Sequence, residues 1–321
     1  MKRRQILTGL LALNLLALAA AQAQDRGAIR LLVGYAPGGL SDVVARLLAE
    51  HLSTELGRTV LVENRAGAGG ALAGAEAARA PKDGNTLFLG DNGSLVVNKV
   101  IYKRLPFDPD TELTGVSLIA EHPLFLVVNE SFPAATLQEF LGYAKARPGA
   151  LSYASPGNGS PHHVAMESFM LRAGLDLTHV PYRGTAPALT DVLGGRVPVI
   201  LLDPAATAAN AGTGKLRALA ILAPERAPAF PDVPSIAEAG ITDVEAAVFW
   251  AVMAPAGTPA EKLQTLSAAF GTALRNPDVA RRLEALGLTP QPSSPGQLSA
   301  YLQHKIGTSR EIVRQLNILV D

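Results

Sequence analysis

Short apolar runs alternate along the chain with longer stretches in which apolar residues recur every three to four positions. Residues 29–35 form an apolar run with β-branched members, followed by Ala36-Pro37-Gly38-Gly39 and Ser41-Asp42. Val43, Val44, Leu47, Leu48 and Leu52 then take helical spacing as far as Gly57. A strand at 59–63 precedes the glycine-rich Gly67-Ala68-Gly69-Gly70 and an alanine-rich helix to Ala80. The run 86–90 is a third strand, ending at Asp91-Asn92-Gly93-Ser94. A second series begins with a strand at 124–128, a helix near 136–147 and a strand at 151–154. Ser155-Pro156-Gly157-Asn158-Gly159-Ser160 then leads into a helix, with Ser160 as N-cap and Pro161 at the first helical position. Strands at 177–181, 197–202, 216–222 and 246–254 follow, with a helix ending at Gly194-Gly195 between the first two of them. Helices at 259–275, 277–286 and 295–319 close the chain.

Repeated strand–loop–helix units predict an α/β fold of two lobes, each a mostly parallel sheet flanked by helices. The long helical tail predicts that the second lobe, 123–247, is inserted into the first, 24–122 plus 248–321. The crossings are expected near 120–124 and 246–254. Residues 1–23 read as a secretory signal: Lys2, Arg3 and Arg4 precede an apolar stretch, and Ala21-Gln22-Ala23 offers a cleavage site. The apolar stretch is shorter than the roughly 18–20 residues of a membrane span, and both general and twin-arginine export remain open. The chain is therefore expected to be exported.

Composition narrows the function. The 321 residues contain no Cys, which excludes a disulfide scaffold, a thiolate metal site and a Cys nucleophile. Twenty-eight basic residues balance 28 acidic ones with no Lys/Arg run, which argues against nucleic acid. Without residues 1–23 the balance becomes 25 basic to 28 acidic, a net −3.

Candidate chemistry lies in the turns after the strands, where open α/β sheets bind ligands. Glycine-rich turns feeding helices present backbone N–H groups at the positive end of a helix dipole, an anion site that needs no Lys or Arg. Gly38 and Gly39 in one lobe, and Gly157, Gly159 and Ser160 in the other, fit that description, and a small carboxylate is the natural occupant. Asp42 reads as an N-cap or first-turn residue. His162 and His163 are adjacent and so face different sides of their helix, which leaves one to line a cleft and makes a two-histidine metal site unexpected. Asp203, at a strand end, either caps the next segment or offers an acceptor to a donor group on the ligand. Arg183 either pairs with a carboxylate or is solvated, and Trp250 reads as a core or hinge residue. Enzyme signatures are weak. No G-x-S-x-G elbow or phosphate loop occurs, Leu72 stands where a dinucleotide fingerprint needs its third glycine, and Ser160 with His163 lacks a third member.

Several stretches together resemble the periplasmic solute-binding receptors of tripartite tricarboxylate transporters, the Bug family. They are Tyr35-Ala36-Pro37-Gly38-Gly39 with Asp42, Val62-Glu63-Asn64-Arg65 with Gly67 to Gly70, and Tyr153 to Ser160 with His163. His179-Val180-Pro181-Tyr182-Arg183-Gly184, Pro231-Asp232-Val233-Pro234-Ser235 and Ala254 to Pro259 complete the pattern, with Ser235 where the family more usually has Thr. The resemblance implies a type II clamshell that closes on a small carboxylate and is no enzyme. It implies that the loop holding Tyr35, Pro37, Gly38, Gly39 and Asp42 grips one carboxylate, together with the loop holding Ser155, Gly157, Asn158, Gly159 and Ser160. Asn92, Ser94, His163, Tyr182 and Asp203 would reach the rest of the ligand. The implied ligand is a di- or tricarboxylate, an acidic amino acid or an aromatic acid; the implied partner is a two-component membrane permease. We expect a monomer with no cofactor, no metal and no nucleic acid. An exported Ser/His hydrolase and the binding component of a signalling system are the alternative readings.

Overall fold

The computed structural model describes residues 27–244 and 246–316; the expected export signal lies outside the described residues. Two sheets organise the chain. The first contains β1 (Ile29–Val33), β2 (Val60–Asn64), β3 (Thr86–Asp91), β4 (Leu113–His122), β10 (Val248–Pro255) and β11 (Thr289–Pro290), in the order β11-β4-β10-β3-β1-β2. The second contains β5 (Phe125–Asn129), β6 (Ser152–Ser155), β7 (Thr178–Pro181), β8 (Val199–Leu202) and β9 (Leu216–Ile221), in the order β7-β6-β8-β5-β9.

Both sheets are mixed rather than mostly parallel. β1 pairs in parallel with β2 and β3, but β10 is antiparallel to both β3 and β4. In the second sheet β6 is parallel to β7 and β8, while β5 is antiparallel to β8 and β9. The reason lies in the passages between sheets. β4 runs out of the first sheet at His122 and the chain enters the second as β5 with no crossover helix between them; β10 brings it back. An outgoing and a returning strand lie side by side in opposite directions, and Val248 sits opposite His122 in the pairing.

The helices that matter for the site are α1 (Leu40–Leu56), α2 (Ala71–Ala78), α3 (Leu137–Lys145), α4 (Pro161–Ala173), α5 (Thr185–Leu193), α6 (Pro204–Ala211), α7 (Ala260–Arg275), α8 (Pro277–Ala285) and α9 (Pro295–Leu316). The central strands are covered on both faces and read as nearly unbroken apolar runs. Leu31 and Val33 belong to one core with Val44 and Leu48 of α1 and Phe270 of α7. Leu32, Phe88 and Phe249 belong to another with the alanines of α2 and with Phe107. α9 lies on the first sheet: Leu298 fills the space over Gly115 of β4, and Tyr301 meets Phe249 edge-on at 5.1 Å. After β3 the polar turn is not a loop. Asp91 accepts the Ser94 N–H at 2.8 Å, and a helical segment runs from 92 to 101 with a π-turn at Gly93–Val97.

Candidate functional site

The two lobes touch along two seams, and both depend on backbone approaching backbone. In the first, the Ala36 N–H donates to the Arg183 carbonyl at 3.0 Å, and a Cβ on Gly184 would lie 3.0 Å from the Ala36 nitrogen. In the second, the Tyr102 hydroxyl donates to the Asn158 carbonyl at 3.1 Å. There a Cβ on Gly69 would stand 2.4 Å from the Asn158 oxygen, one on Gly93 2.4 Å from the Gly159 oxygen, and one on Gly159 2.0 Å from Asn98 Oδ1. No side chain fits at these distances, so the clamshell is closed and glycine is required at its lips.

Between the seams lies a small pocket of about 20 Å³, room for about one water molecule with the lobes closed. Tyr35, Asp91, Thr185, His162, Asp203 and Trp250 line it. Four helices begin at its wall. Gly39 is the N-cap of α1, Ser160 of α4, Gly184 of α5 and Asp203 of α6, and the cavity is lined by Gly39, Pro161, Thr185 and Asp203. Each helix N-terminus carries about half a positive charge in its unpaired N–H groups. A more open groove on the other side of the hinge, lined by Leu222, Ile236 and Ile241 among others, does not gather helix N-termini in this way.

One wall of the cavity is a saturated carboxylate. The Tyr35 hydroxyl donates to Asp91 Oδ2 at 2.5 Å, while Oδ1 accepts from Ser94 N and Ser94 Oγ at 2.8 and 2.9 Å. Burial pushes the Asp91 carboxyl above its usual range despite these bonds, and burial followed by the neighbouring Asp91 drives the Tyr35 hydroxyl well up. The floor is different. Asp203, 2% exposed, makes no side-chain bond to its own helix, unlike an ordinary Asp N-cap. Its Oδ1 lies 3.3 Å from His162 Nε2 and 3.4 Å from His122 Nε2, outside hydrogen-bond geometry, and none of these three atoms has a partner. Burial alone would raise the Asp203 carboxyl, but the imidazoles of His162 and His122 outweigh it and hold it below its usual value. Trp250 packs against the His122 ring at 4.9 Å.

Of the residues expected to contact ligand, Tyr35, Gly39 and Asp203 line this cavity. Most of the others bond elsewhere. Asp42 takes the Gly38 N–H at 3.0 Å and is held by Arg46 and Asn64, so it fixes the loop, while Pro37 and Gly38 face outward. The 155–160 loop is closed on itself. The Gly157 N–H goes to Ser155 Oγ, the Gly159 N–H to His163 Nδ1 at 3.1 Å, and Ser160 Oγ caps α4 through the His163 N–H. His163 therefore turns away from the cavity and stacks on His179 at 4.0 Å and 9°; His179 Nε2 in turn lies 2.6 Å from Ser155 Oγ. Burial first, then His179, pushes His163 down to about 3, and burial pushes His179 down to about 4. With Nδ1 engaged and Ser160 acting as a cap, the Ser160–His163 pair is not a nucleophile and base. The Tyr182 hydroxyl donates to Asp191 Oδ2 at 2.7 Å, Ser94 serves Asp91, and Asn158 serves the seam. Asn92 is buried with its Oδ1 unpartnered.

Sequence reasoning missed His162, His122 and the cavity role of Trp250. His162 stands one residue from the chosen His163, about 100° away around the helix. His122 ends β4, a strand whose apolar pattern Thr114, Gly115 and Ser117 break up. Among the described residues no group of three or more His, Asp or Glu side chains is arranged to hold a metal ion.

A chain of two α/β lobes joined by β4 and β10, with a cavity between them, has the architecture of the clamshell solute-binding receptors. It belongs to the tripartite tricarboxylate transporter family of receptors, the Bug family, whose model matches residues 44–318. Protein BugT of Bordetella pertussis is 36% identical over 288 residues, 89% of this chain and 88% of BugT. MatC of Rhodopseudomonas palustris, solved with bound malate, is 33% identical with a TM-score of 0.85, and the match covers 89% of this chain and 98% of that one. A second R. palustris protein, solved with adipate, is 32% identical with a TM-score of 0.87 over 91% and 97% of the two chains. The chain is thus a solute-binding receptor and not an enzyme.

Proposed function

We propose that this chain is a periplasmic receptor that captures a small carboxylate in the interlobe cavity by hinge closure and delivers it to a two-component membrane permease. One observation carries the reading: four helix N-termini converge on one interlobe pocket that has no Lys or Arg among its lining residues. Partial positive charges of this kind suit a carboxylate and stay fixed in place when the lobes close. Malate in MatC and adipate in the second relative support the same class of ligand. The lobes are 24–122 with 248–321, and 123–247; the passages through β4 and β10 form the hinge, and the receptor works as a monomer after cleavage of its export signal. The ligand favours the closed state because both lobes contribute to the cavity wall, and only such differential affinity closes a clamshell.

Trp250 is the sole tryptophan of the chain and lines the cavity, so it reports occupancy directly. Titration with succinate, L-malate, adipate, citrate, benzoate and L-aspartate should change its emission saturably for at least one acid, which should also raise the melting temperature. An emission spectrum and a melting temperature unmoved by every carboxylate would refute the proposal.

A further inference from the structure

We propose that three aliphatic side chains beside the cavity, Val97, Ile101 and Val164, form an interlobe latch that sets how tightly this receptor holds any ligand without touching it. The inference rests on hinge closure as proposed above and adds to it residues that lie outside the ligand cavity.

The argument starts from what buries these side chains. Val97 and Ile101 stand four residues apart in the helical segment after β3, neighbours on one face of it, in the first lobe. Val164 lies near the start of α4, in the second lobe. The three are 0%, 0% and 1% exposed, and they form an apolar cluster of their own, separate from the larger cores. Val100 and Tyr102 pack against it. Ile101 reaches across to the second lobe: a Cβ on Gly159 would stand 2.9 Å from its Cδ1. Beside it the Tyr102 hydroxyl donates to the Asn158 carbonyl at 3.1 Å. None of the three aliphatic side chains lines the ligand cavity. His162 does line it, and Val164, two residues further on, points about 200° away around the helix.

Parting the lobes carries Val164 away from Val97 and Ile101 and gives all three to water. Aliphatic surface buried only on closing favours the closed state in proportion to its area, whatever lies in the cavity. The Tyr102 hydrogen bond fixes where the second lobe lands but adds little net energy, since both its groups meet water when the lobes part. The latch therefore raises affinity by one common factor for every ligand that requires closure. Residues of the cavity wall act differently, because they favour one ligand over another. Where the ligand-free receptor is already closed, the same contribution appears as compactness of the ligand-free protein instead.

The test is a double-mutant cycle across the lobes. Ile101→Ala and Val164→Ala, singly and together, are titrated by calorimetry with succinate, L-malate, adipate, citrate, benzoate and L-aspartate. Small-angle scattering is recorded for each variant without ligand. Each single variant should raise the dissociation constant about 5- to 20-fold, by the same factor to within about twofold for every acid that binds. The double variant should fall short of the product of the two by about threefold or more, because either truncation already removes the shared contact. Packing confined to one lobe would not couple the two substitutions. An expanded ligand-free double variant with unmoved affinity would also support the latch. Affinity and ligand-free radius both unmoved, additive single effects, or a changed ranking of the acids would each overturn it and leave the carboxylate reading standing. Binding of none of the six acids by the wild type would overturn the carboxylate reading. The latch would then stand if the ligand-free double variant expands and fall if its radius is unchanged. If the alanine variants do not fold, Ile101→Val decides, with an expected rise of about fourfold.

Discussion

Gly93→Ala separates closure from folding. Gly93 has ordinary helical backbone, so an alanine there meets no left-handed strain, in contrast to Gly69 and Gly159, with φ of 54° and 72°. In the closed protein its Cβ would stand 2.4 Å from the Gly159 carbonyl oxygen and 3.0 Å from Pro161 Cδ, both on the opposite lobe. An ordinary contact begins near 3.4 Å, so that lip must open by about 1 Å. Within its own lobe the nearest atom, Asp91 Oδ1 at 3.2 Å, needs only a slight adjustment. Forcing one methyl into a packed contact costs about 1–3 kcal/mol. This cost falls on the closed state alone, so the dissociation constant should rise about 5- to 150-fold at 1.4 kcal/mol per decade. The separated lobes should be as stable as before or gain up to about 1 kcal/mol, because alanine favours a helical segment over glycine. Calorimetry with whichever acid raises the wild-type melting temperature most gives the affinity, small-angle scattering with and without that acid gives the compaction, and ligand-free melting gives the stability. An affinity within about twofold of wild type, with the ligand-induced compaction intact, would refute the reasoning, since the seam at Gly93 and Gly159 would then not belong to the liganded state.

Two further predictions concern the scaffold behind the site. His163 and His179 have folded-state values of about 3 and about 4, against 6.5 when free, so between pH 6.5 and 4 the unfolded chain takes up protons that the folded chain refuses. Their stabilisation is therefore full at neutral pH and is lost on acidification, by up to about 1.4 kcal/mol per pH unit for each ring. Glu167, raised by burial, acts in the opposite sense, since its contribution falls as pH rises; it is present in both proteins being compared. Urea unfolding at pH 7, 6 and 5 should show a shallower slope in His163→Gln, and parallel slopes would sink the assignment. Asp42→Ala leaves the Gly38 N–H, Arg46 Nε and Asn64 Nδ2 without their shared acceptor and should cost about 1–3 kcal/mol in the same assay, a loss under about 0.5 kcal/mol counting against it.

The fold was legible where burial is two-sided. β1 and β3 announce themselves as apolar runs because helices cover both faces, and α4 is marked by its own cap, Ser160 followed by Pro161. β4 was not legible, since its small and polar positions, Thr114, Gly115 and Ser117, are accommodated by neighbours far along the chain: Leu298 fills over Gly115, and Ser117 Oγ accepts from the Ser293 N–H. The direction of the strands was misread for a related reason. Strand–helix alternation implies parallel pairing only where a helix carries the chain back, and the step from β4 to β5 has none.

The site divides along the same line between local and distant causes. Sequence marks the glycine-rich loops but not how their atoms are used. The N–H groups of Gly38, Gly157 and Gly159 were the natural candidates to hold an anion, yet each is taken by a residue two to four positions away in the chain. What the second seam exploits is the missing side chain: Gly93 and Gly159 meet because neither has a Cβ, an encounter between residues 66 positions apart that no local pattern encodes. The charge count misleads in the same way. Net −3 without the export signal, and two aspartates inside the cavity, look hostile to an anion, yet Asp91 is saturated by its own lobe, and four helix starts supply positive potential from atoms that formal charge omits. Asp203, the other aspartate, faces the imidazoles of His162 and His122 at 3.3 and 3.4 Å, and their influence outweighs its burial.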